Sequence, residues 1–297
     1  MTYTQKVTDA QLPGLYQAAN KASLDAQWIY YTGLLSYLIL LIIAALVSFI
    51  SADSPVGTLL SALLFLVTLS ILIGLRVKRP DDIWYNGRAV AESVKTRAWR
   101  WMMRAEPYDD CEKLEIVSRQ FISDLKAILT QNRNLASALS TNAYLEAPIT
   151  ESMKAIRAMP VPDRLSLYSS DRVQDQADWY ARKFIFNRRR AQQWFWVSVS
   201  LHMVAIIMLL VRMQHPNLQL PVEVVAATAS GVLTWLQAKK HNELASSYSL
   251  AAHEIVLIKG EALSIDSDKH LSEFVLNAEA AFSREHTQWA ARKNEDN

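Results

Sequence analysis

The amino-acid sequence predicts an all-α polytopic membrane protein, with four transmembrane helices in two hairpins and long helices that extend into a cytosolic helical bundle. Three observations predict this class. The apolar residues are gathered into four blocks of about 18 to 20 residues, the charged residues lie between the blocks, and the 297 residues include only seven glycines and nine prolines. One helix needs about 20 residues to cross roughly 30 Å of hydrocarbon. A chain so poor in glycine and proline is not typical of a β-rich or loop-rich protein.

The first hairpin is predicted from two blocks without a charged side chain, at about 33–50 and 56–75. Five residues, among them Asp53 and Pro55, separate the blocks. A helix in a soluble core would carry a polar stripe at helical spacing, and neither block has one. The polar segment before the first block lacks the basic start and nearby apolar stretch of a cleavable signal peptide, so we expect this block to remain as an anchor.

The second hairpin is predicted from blocks at about 194–211 and 218–236, separated by a polar segment that begins at Arg212. This pair contains two ionisable residues, His202 and Glu223, whereas the first pair has none. Both blocks are still long enough to span, so the sequence predicts four transmembrane helices in total.

Basic residues lie at the same end of the predicted spans, which indicates the orientation. They cluster at 76–79, 188–190 and 239–240, whereas the two short hairpin links contain only Arg212. Because cytosolic segments carry the excess of Lys and Arg, both termini and all long segments are predicted to be cytosolic. The single cysteine, Cys111, excludes an internal disulfide and fits a reducing compartment.

The segments outside the spans are also predicted to be helical. Apolar residues recur every three or four positions from Leu12 to Ala26, from Leu114 to Ile128 and from Leu271 to Phe282, as on one face of a helix. The first of these helices, over 8–31, is expected to run into the first span. The fourth span is expected to extend as one helix to about Gly260.

Prolines and polar stretches predict the remaining boundaries. Pro80 and Pro107 are each expected to begin a helix, because proline is tolerated in a first turn. A short helix is predicted from Thr150 to Ala158, and a long one from Asp163 through the third span.

The order of elements is repeated along the chain. Residues 1–135 are predicted to form a first two-span unit, 136–162 a linker and 163–297 a second two-span unit. Two units of the same order in tandem indicate duplication.

Polar residues in the second pair of spans are candidates for an ion pathway: His202, Glu223, Thr228, Ser230 and Thr234. Ionisable groups inside a membrane are costly and often mark a pathway. The alternatives are that a neutral His202 only packs and that the hydroxyls bond their own backbone. Glu223 either favours the amino terminus of its helix or forms an acidic ring that attracts cations in an oligomer.

Two helix faces outside the spans are candidates for coupling the cytosolic part to the spans. Their residues recur at helical spacing: Trp84, Arg88, Glu92 and Lys95 on the first face, and Arg172, Gln176, Tyr180 and Lys183 on the second. Each face is interpreted either as a surface stripe that packs on neighbouring helices, or as an inter-subunit or gating surface just inside the membrane.

Three stretches resemble the SLATT superfamily, the SMODS- and SLOG-associating two-transmembrane effector domains. They are Tyr16-Gln-Ala-Ala-Asn20, then RPDDIWYNGRAVAESVKTRAWRW at 79–101, and DRVQDQADWYARKF at 171–184. The resemblance covers nearly the whole chain, as tandem amino-terminal and carboxy-terminal units. It implies a bacterial inner-membrane protein that forms pores harmful to the host cell when a separate sensor or second-messenger system is triggered.

The sequence and the resemblance together predict a homo-oligomeric gated ion-conducting pore or membrane-perturbing effector of a bacterial defence or stress system. The alternative is a non-conducting, membrane-anchored scaffold or signalling protein that recruits cytosolic partners. No Walker loop, GxSxG, HExxH or cysteine cluster is present, so we expect no catalytic residue, cofactor or metal site and no enzymatic activity. The expected partners are the lipid bilayer, further copies of the chain and a separate sensor, but no nucleic acid.

Overall fold

The computed structural model describes residues 6–109, 113–139 and 147–295, and within them all extended regular structure is helical, without a strand. Cys111 lies outside the described residues. The helices of seven or more residues are, in chain order, α1 (Gly14–Ile50), α2 (Pro55–Lys78), α3 (Pro80–Met102), α4 (Leu114–Gln131), α5 (Glu151–Arg157), α6 (Val161–Tyr168), α7 (Asp175–Gln214), α8 (Val222–Lys239), α9 (His241–Glu261) and α10 (Asp268–Glu295). The prediction of an all-α fold is confirmed.

Three helical stretches are long and apolar enough to cross a membrane by length and composition, namely Gly14–Ile50, Pro55–Met102 and Val161–Gln214. The first three predicted spans lie in these stretches. Helix α8 is not among them, and it begins at Val222, so residues 218–221 of the fourth predicted span lie before the helix.

The chain divides into two compact units. The polar unit consists of residues 1–27, 81–182 and 247–297, and the apolar unit of residues 28–80 and 183–246. Each compact unit therefore contains segments from both halves of the sequence.

The polar unit has a continuous hydrophobic core. The Phe121 ring packs on Trp101 and Tyr108, with ring centroids 6.0 and 5.6 Å apart. The apolar faces read from the sequence are largely confirmed by the buried residues Leu12, Ala19, Ala22, Ala26, Val117, Phe121, Leu125, Leu271, Val275, Ala278 and Phe282. Leu114, predicted on the same face as Val117, is 56% exposed instead, at the first residue of α4. Burial of these faces orients the amphipathic helices of the unit.

In the apolar unit, helix α1 packs against both α2 and α8. A Cβ on Gly33 would lie 2.9 Å from Leu75, and one on Gly231 would lie 3.8 Å from Ile42. Small residues at these crossings allow the helices to approach closely, as in other membrane-type helix pairs.

The backbone breaks at the same place in both sequence halves. Helix α2 ends at Arg79 (φ 43°) and α8 ends at Lys240 (φ 49°), and a further helix follows each residue directly. The restart at Pro80 is confirmed. The single helix expected from the fourth span to Gly260 is wrong, because the left-handed Lys240 separates α8 from α9. This matched position supports the duplication inferred from the element order.

Two predicted helix starts are also wrong. Helix α1 begins at Gly14 rather than near residue 8, after a short 3-10 turn, Asp9–Gln11. Helix α4 begins at Leu114 rather than near Pro107, and the latter follows the end of α3. By contrast, the short helix after Thr150 is confirmed, and the Thr150 hydroxyl oxygen accepts a hydrogen bond from the Met153 N–H at 3.2 Å.

The long helix predicted from Asp163 through the third span is confirmed, with one irregularity. It begins as α6 at Val161, passes through a π-helical turn at Ser169–Gln174 and continues as α7 to Gln214. π-helical turns re-aim the side chains that follow them and are frequent at functional sites.

Candidate functional site

The carboxylate of Glu279, on α10, is completely buried in the polar unit. Its Oε1 accepts hydrogen bonds from Arg172 Nε at 2.8 Å and the Tyr168 hydroxyl at 3.0 Å. Its Oε2 accepts from Arg172 Nη2 and from the Thr96 hydroxyl, both at 2.8 Å. Four donors thus satisfy the buried charge, which a low-dielectric interior requires.

The protonation of this cluster is fixed by its surroundings. Burial alone lowers the pKa of Arg172, but the Glu279 carboxylate outweighs burial and holds that pKa above its usual value. Burial and then the same carboxylate raise the pKa of Tyr168 well above its usual value. Arg172 and Tyr168 therefore keep their protons near neutral pH.

Arg172 reaches Glu279 from the π-helical turn at Ser169–Gln174. Arg172 is among the residues predicted from the sequence, whereas its partner, 107 positions further along the chain, is not. A signal was present: Glu279 follows Val275 by four residues and so falls on the predicted apolar face of α10. A lone carboxylate on a buried face indicates a buried cation elsewhere in the protein.

Two further buried arginines, from helices α5 and α6, donate hydrogen bonds to carbonyls at the carboxyl terminus of α3. Arg157 donates to the Trp101 carbonyl at 2.5 Å, and Arg164 donates to the Met103 carbonyl at 2.7 Å. Cations at a helix carboxyl terminus satisfy its unpaired carbonyls and its dipole. Arg164 also forms an ion pair with Asp268 at the start of α10. Neither arginine is among the residues predicted from the sequence.

The first predicted coupling face packs inside the polar unit. Trp84 is buried, and its carbonyl accepts a hydrogen bond from the Ser23 hydroxyl of α1 at 2.9 Å. Arg88 and Glu92 form an ion pair at 2.7 Å within α3, as their four-residue spacing predicts. Lys95 instead reaches toward Asp9, at 3.5 Å, and lies 5.5 Å from the centre of the Tyr16 ring.

The four residues of the second predicted face differ in burial. Arg172 and Tyr180 are buried, Gln176 is half-buried and Lys183 is exposed. The ring of Tyr180 packs 5.8 Å from that of Tyr248 on α9. Lys183 belongs to the apolar unit, whereas the other three belong to the polar unit.

In helix α2 the burial pattern is the reverse of that in a helix of a soluble protein. Its buried residues are Gly57, Ser61 and Thr68. Large apolar side chains are exposed instead, among them Leu59 (62% exposed) and Leu66 (59%). Water would disfavour such a surface, whereas lipid would accept it. Small and hydroxyl residues facing the neighbouring helix are typical of helix pairs in membranes.

Helix α8 carries a different exposed face. Its exposed residues recur at helical spacing and are mainly small or polar: Glu223, Ala226, Ser230, Leu233, Thr234 and Gln237. Three of the five pathway candidates, Glu223, Ser230 and Thr234, lie on this face. Thr228 is half-buried and donates to the Val224 carbonyl at 2.8 Å, while Thr234 donates to the Ser230 carbonyl at 3.0 Å.

His202 lies on an exposed side of α7, in a stretch of 18 residues of which none is buried. Its Nδ1 lies 2.7 Å from the Ser198 carbonyl oxygen. Since a carbonyl only accepts, the contact selects the tautomer in which Nδ1 carries the proton and Nε2 is an acceptor. The structure thus places His202 away from Glu223, which pairs instead with Arg212 at 3.4 Å across the turn between α7 and α8.

Aromatic and polar side chains join the helices of the apolar unit near residue 240. Lys239 Nζ lies 3.2 Å from the centre of the Tyr31 ring and 4.8 Å from that of Trp235. Close by in sequence, the buried His241 shares a hydrogen bond between its Nδ1 and Asn187 Oδ1 at 2.7 Å. Burial, followed by the positive charges of Lys239 and Arg190, lowers the pKa of His241.

No group of three or more potential metal ligands occurs in the part of the chain that the structure describes.

Two family models match the sequence. The SMODS and SLOG-associating 2TM effector domain 3 matches residues 13–165, and the SMODS and SLOG-associating 2TM effector domain 1 matches residues 168–289. No curated protein and no solved structure gives a significant match.

The two matches cover the tandem units inferred from the sequence, and the first alone covers more than half of the chain. The chain therefore belongs to the SLATT family, with an amino-terminal domain of type 3 followed by a carboxy-terminal domain of type 1.

Proposed function

We propose that this protein is a four-span membrane effector of a bacterial defence system, and that several copies assemble into a gated ion-conducting pore. In this proposal the exposed polar face of α8 lines the pore, both termini lie in the cytosol, and the polar unit receives the signal. The chain acts on the membrane itself and uses no catalytic residue, cofactor or nucleic-acid partner.

The observation that carries the proposal is the contrast between α8 and α2. Both helices expose a long face of the apolar unit, but α2 exposes leucines whereas α8 exposes Glu223, Ser230, Thr234 and Gln237. Lipid tails would accept the leucines but would disfavour an exposed carboxylate such as that of Glu223. A water-filled path beside α8 accounts for both faces.

The polar face of α8 points out of the chain, so one chain does not enclose a path. Copies arranged around a symmetry axis would bring their α8 faces together around a shared space. His202 supports the same arrangement, because Nε2 on the exposed side of α7 needs a hydrogen-bond donor that lipid tails lack. A neighbouring copy or pore water supplies it.

Gating follows from the continuity of the helices. Helix α1 runs from Gly14 to Ile50 without a break, and α7 runs from Asp175 to Gln214. Each carries residues of the polar unit and of a predicted span in one unbroken helix, and we propose that the signal reaches the spans through these helices. The family name associates such domains with SMODS and SLOG proteins, and we propose that a separate sensor of this kind supplies the trigger.

Ionic current across planar bilayers that hold the purified oligomer tests the proposal. We expect discrete conductance steps, either spontaneous or after addition of the trigger. A protein that stays oligomeric but passes no current at any tested voltage, pH or ligand would favour the alternative, a non-conducting scaffold that recruits cytosolic partners.

A further inference from the structure

The apolar unit carries a strong excess of positive charge. It contains ten Lys and Arg residues against three Asp and Glu residues, whereas the rest of the chain is net acidic. Arg188, Arg189 and Arg190 form the densest group, here called the arginine cluster, and all three are exposed. Helix α7 contains no acidic residue after Asp178, and none of the three arginines has an acidic partner among the described residues.

Aromatic rings hold two members of the cluster in place. The Arg188 guanidinium lies 5.9 Å from the centre of the Phe184 ring, and that of Arg190 lies 5.5 Å from the centre of the Phe186 ring. A guanidinium that contacts a ring with its face keeps its N–H edge available for other partners. Arg190 uses one of these donors for Gln193 Oε1, at 3.2 Å, and its remaining N–H groups can bind an anion. Because the side chains are already ordered, less conformational entropy is lost when an anion binds.

The position of the cluster along α7 matches the headgroup layer of a bilayer. At about 1.5 Å per helical residue, the cluster lies about 6 to 9 Å beyond the start of the predicted span at Trp194. The headgroup region extends roughly 5 to 7 Å beyond the hydrocarbon on each side. Phe195 and Trp196, at the start of the span, are 57% and 64% exposed, so an apolar surface continues directly from the cluster.

We propose that the arginine cluster is a binding site for the phosphate of anionic phospholipids, which the protein prefers over zwitterionic lipids. The excess of positive charge matches an anionic headgroup, and the exposed apolar side chains beyond the cluster match its acyl chains. The inference rests on the membrane location in the proposed function, but not on conduction. Lipid binding to a non-conducting protein would therefore leave it intact while the pore proposal failed.

Native mass spectrometry of the full-length protein in non-ionic detergent tests the site. Phosphatidylglycerol and phosphatidylcholine are titrated separately, and bound lipids are counted. We expect tighter binding of phosphatidylglycerol, and Arg188→Gln with Arg189→Gln should weaken it about 30-fold, from about fivefold for each basic residue at a membrane surface. Arg188→Lys with Arg189→Lys keeps the charge and should retain most of the preference.

A charge-matched control, Arg119→Gln with Arg133→Gln, changes two exposed arginines of the polar unit and should leave lipid binding unchanged. If the double glutamine variant of the cluster does not fold, Arg189→Gln alone should still give a fivefold loss. Equal binding of the two lipids would overturn the proposal, and so would unchanged affinity in the cluster variants. Competition by inorganic phosphate at the same concentration would also overturn it, since that result would indicate a site for free phosphate.

Discussion

Replacement of Glu279 by glutamine removes one charge from the most deeply buried ion pair described in the polar unit. The side chain keeps its shape, but one acceptor oxygen becomes an amide that donates. Arg172, which is 1% exposed, then remains as a buried cation without the carboxylate that it contacts. Among the described residues, its Nη1 has no hydrogen-bond partner even in the intact protein.

The expected loss follows from the cost of an unpaired buried charge. Breaking a buried ion pair by removal of one partner costs about 3 to 5 kcal/mol. The hydroxyls of Tyr168 and Thr96 share the same acceptor oxygens, so the upper half of this range is expected. For a chain of this size, such a loss lowers the unfolding midpoint on the order of 10 °C.

Thermal unfolding in detergent, followed by tryptophan fluorescence, measures this shift. Glu273→Gln is the matched control. Glu273 lies on the same helix and is 60% exposed, so this substitution removes the same charge from an exposed side chain. Its midpoint should change by less than about 1 °C, because exposed pairs contribute little. Adding Arg172→Met to Glu279→Gln removes the unpaired cation and should recover part of the loss. A Glu279→Gln midpoint equal to that of the control would refute this reasoning.

Three other features of the apolar unit lead to measurable effects. The pKa of His241 is lowered in the folded protein, relative to about 6.5 in the unfolded chain. The stabilising contribution of His241 is therefore complete above about pH 6.5 and is lost as the pH falls below that value. The unfolding midpoint should drop between about pH 7 and pH 5 in the wild type, and it should drop less in His241→Gln. A Cβ on Gly57 would lie 2.1 Å from a side-chain atom, so Gly57→Ala should destabilise the first hairpin by about 1 to 3 kcal/mol. Gly74→Ala, which meets nothing within 4 Å, should be neutral or stabilising in the same unfolding assay. In the conducting protein, Glu223→Gln should lower cation selectivity and Arg212→Gln should raise it, as read from reversal potentials; unchanged potentials in both variants would exclude a role of this ion pair in selectivity.

The sequence was sufficient to predict the helices and their buried faces because periodicity and length determine both. The uncharged apolar stretch before Arg76 is not typical of a helix in a soluble protein. The spacing of Leu271 and Val275 predicts which face of α10 is buried. The first helix break was readable as well, because Pro80 cannot continue the hydrogen-bond pattern of α2.

Features that depend on tertiary contacts could not be predicted from the sequence. The break at Lys240 has no glycine or proline to mark it, and a lysine with positive φ costs about 1 to 2 kcal/mol that the surrounding packing must offset. The pairing of Arg172 with Glu279 joins distant segments through a π-helical turn, which has no sequence signature. Among the pathway candidates, the spacing of Ser230 and Thr234 placed them on one face of α8, but only the structure shows that this face is exposed.

Modification of a cysteine at position 230 during current recording tests the central claim most directly. In a Cys111→Ser background, Ser230→Cys places a thiol on the polar face of α8, and Leu66→Cys places one on the exposed apolar face of α2. If α8 lines the pore, a cationic thiol reagent should reduce the current through Ser230→Cys channels and leave Leu66→Cys channels unchanged. Current that is unaffected at position 230, or reduced equally at both positions, would contradict the account.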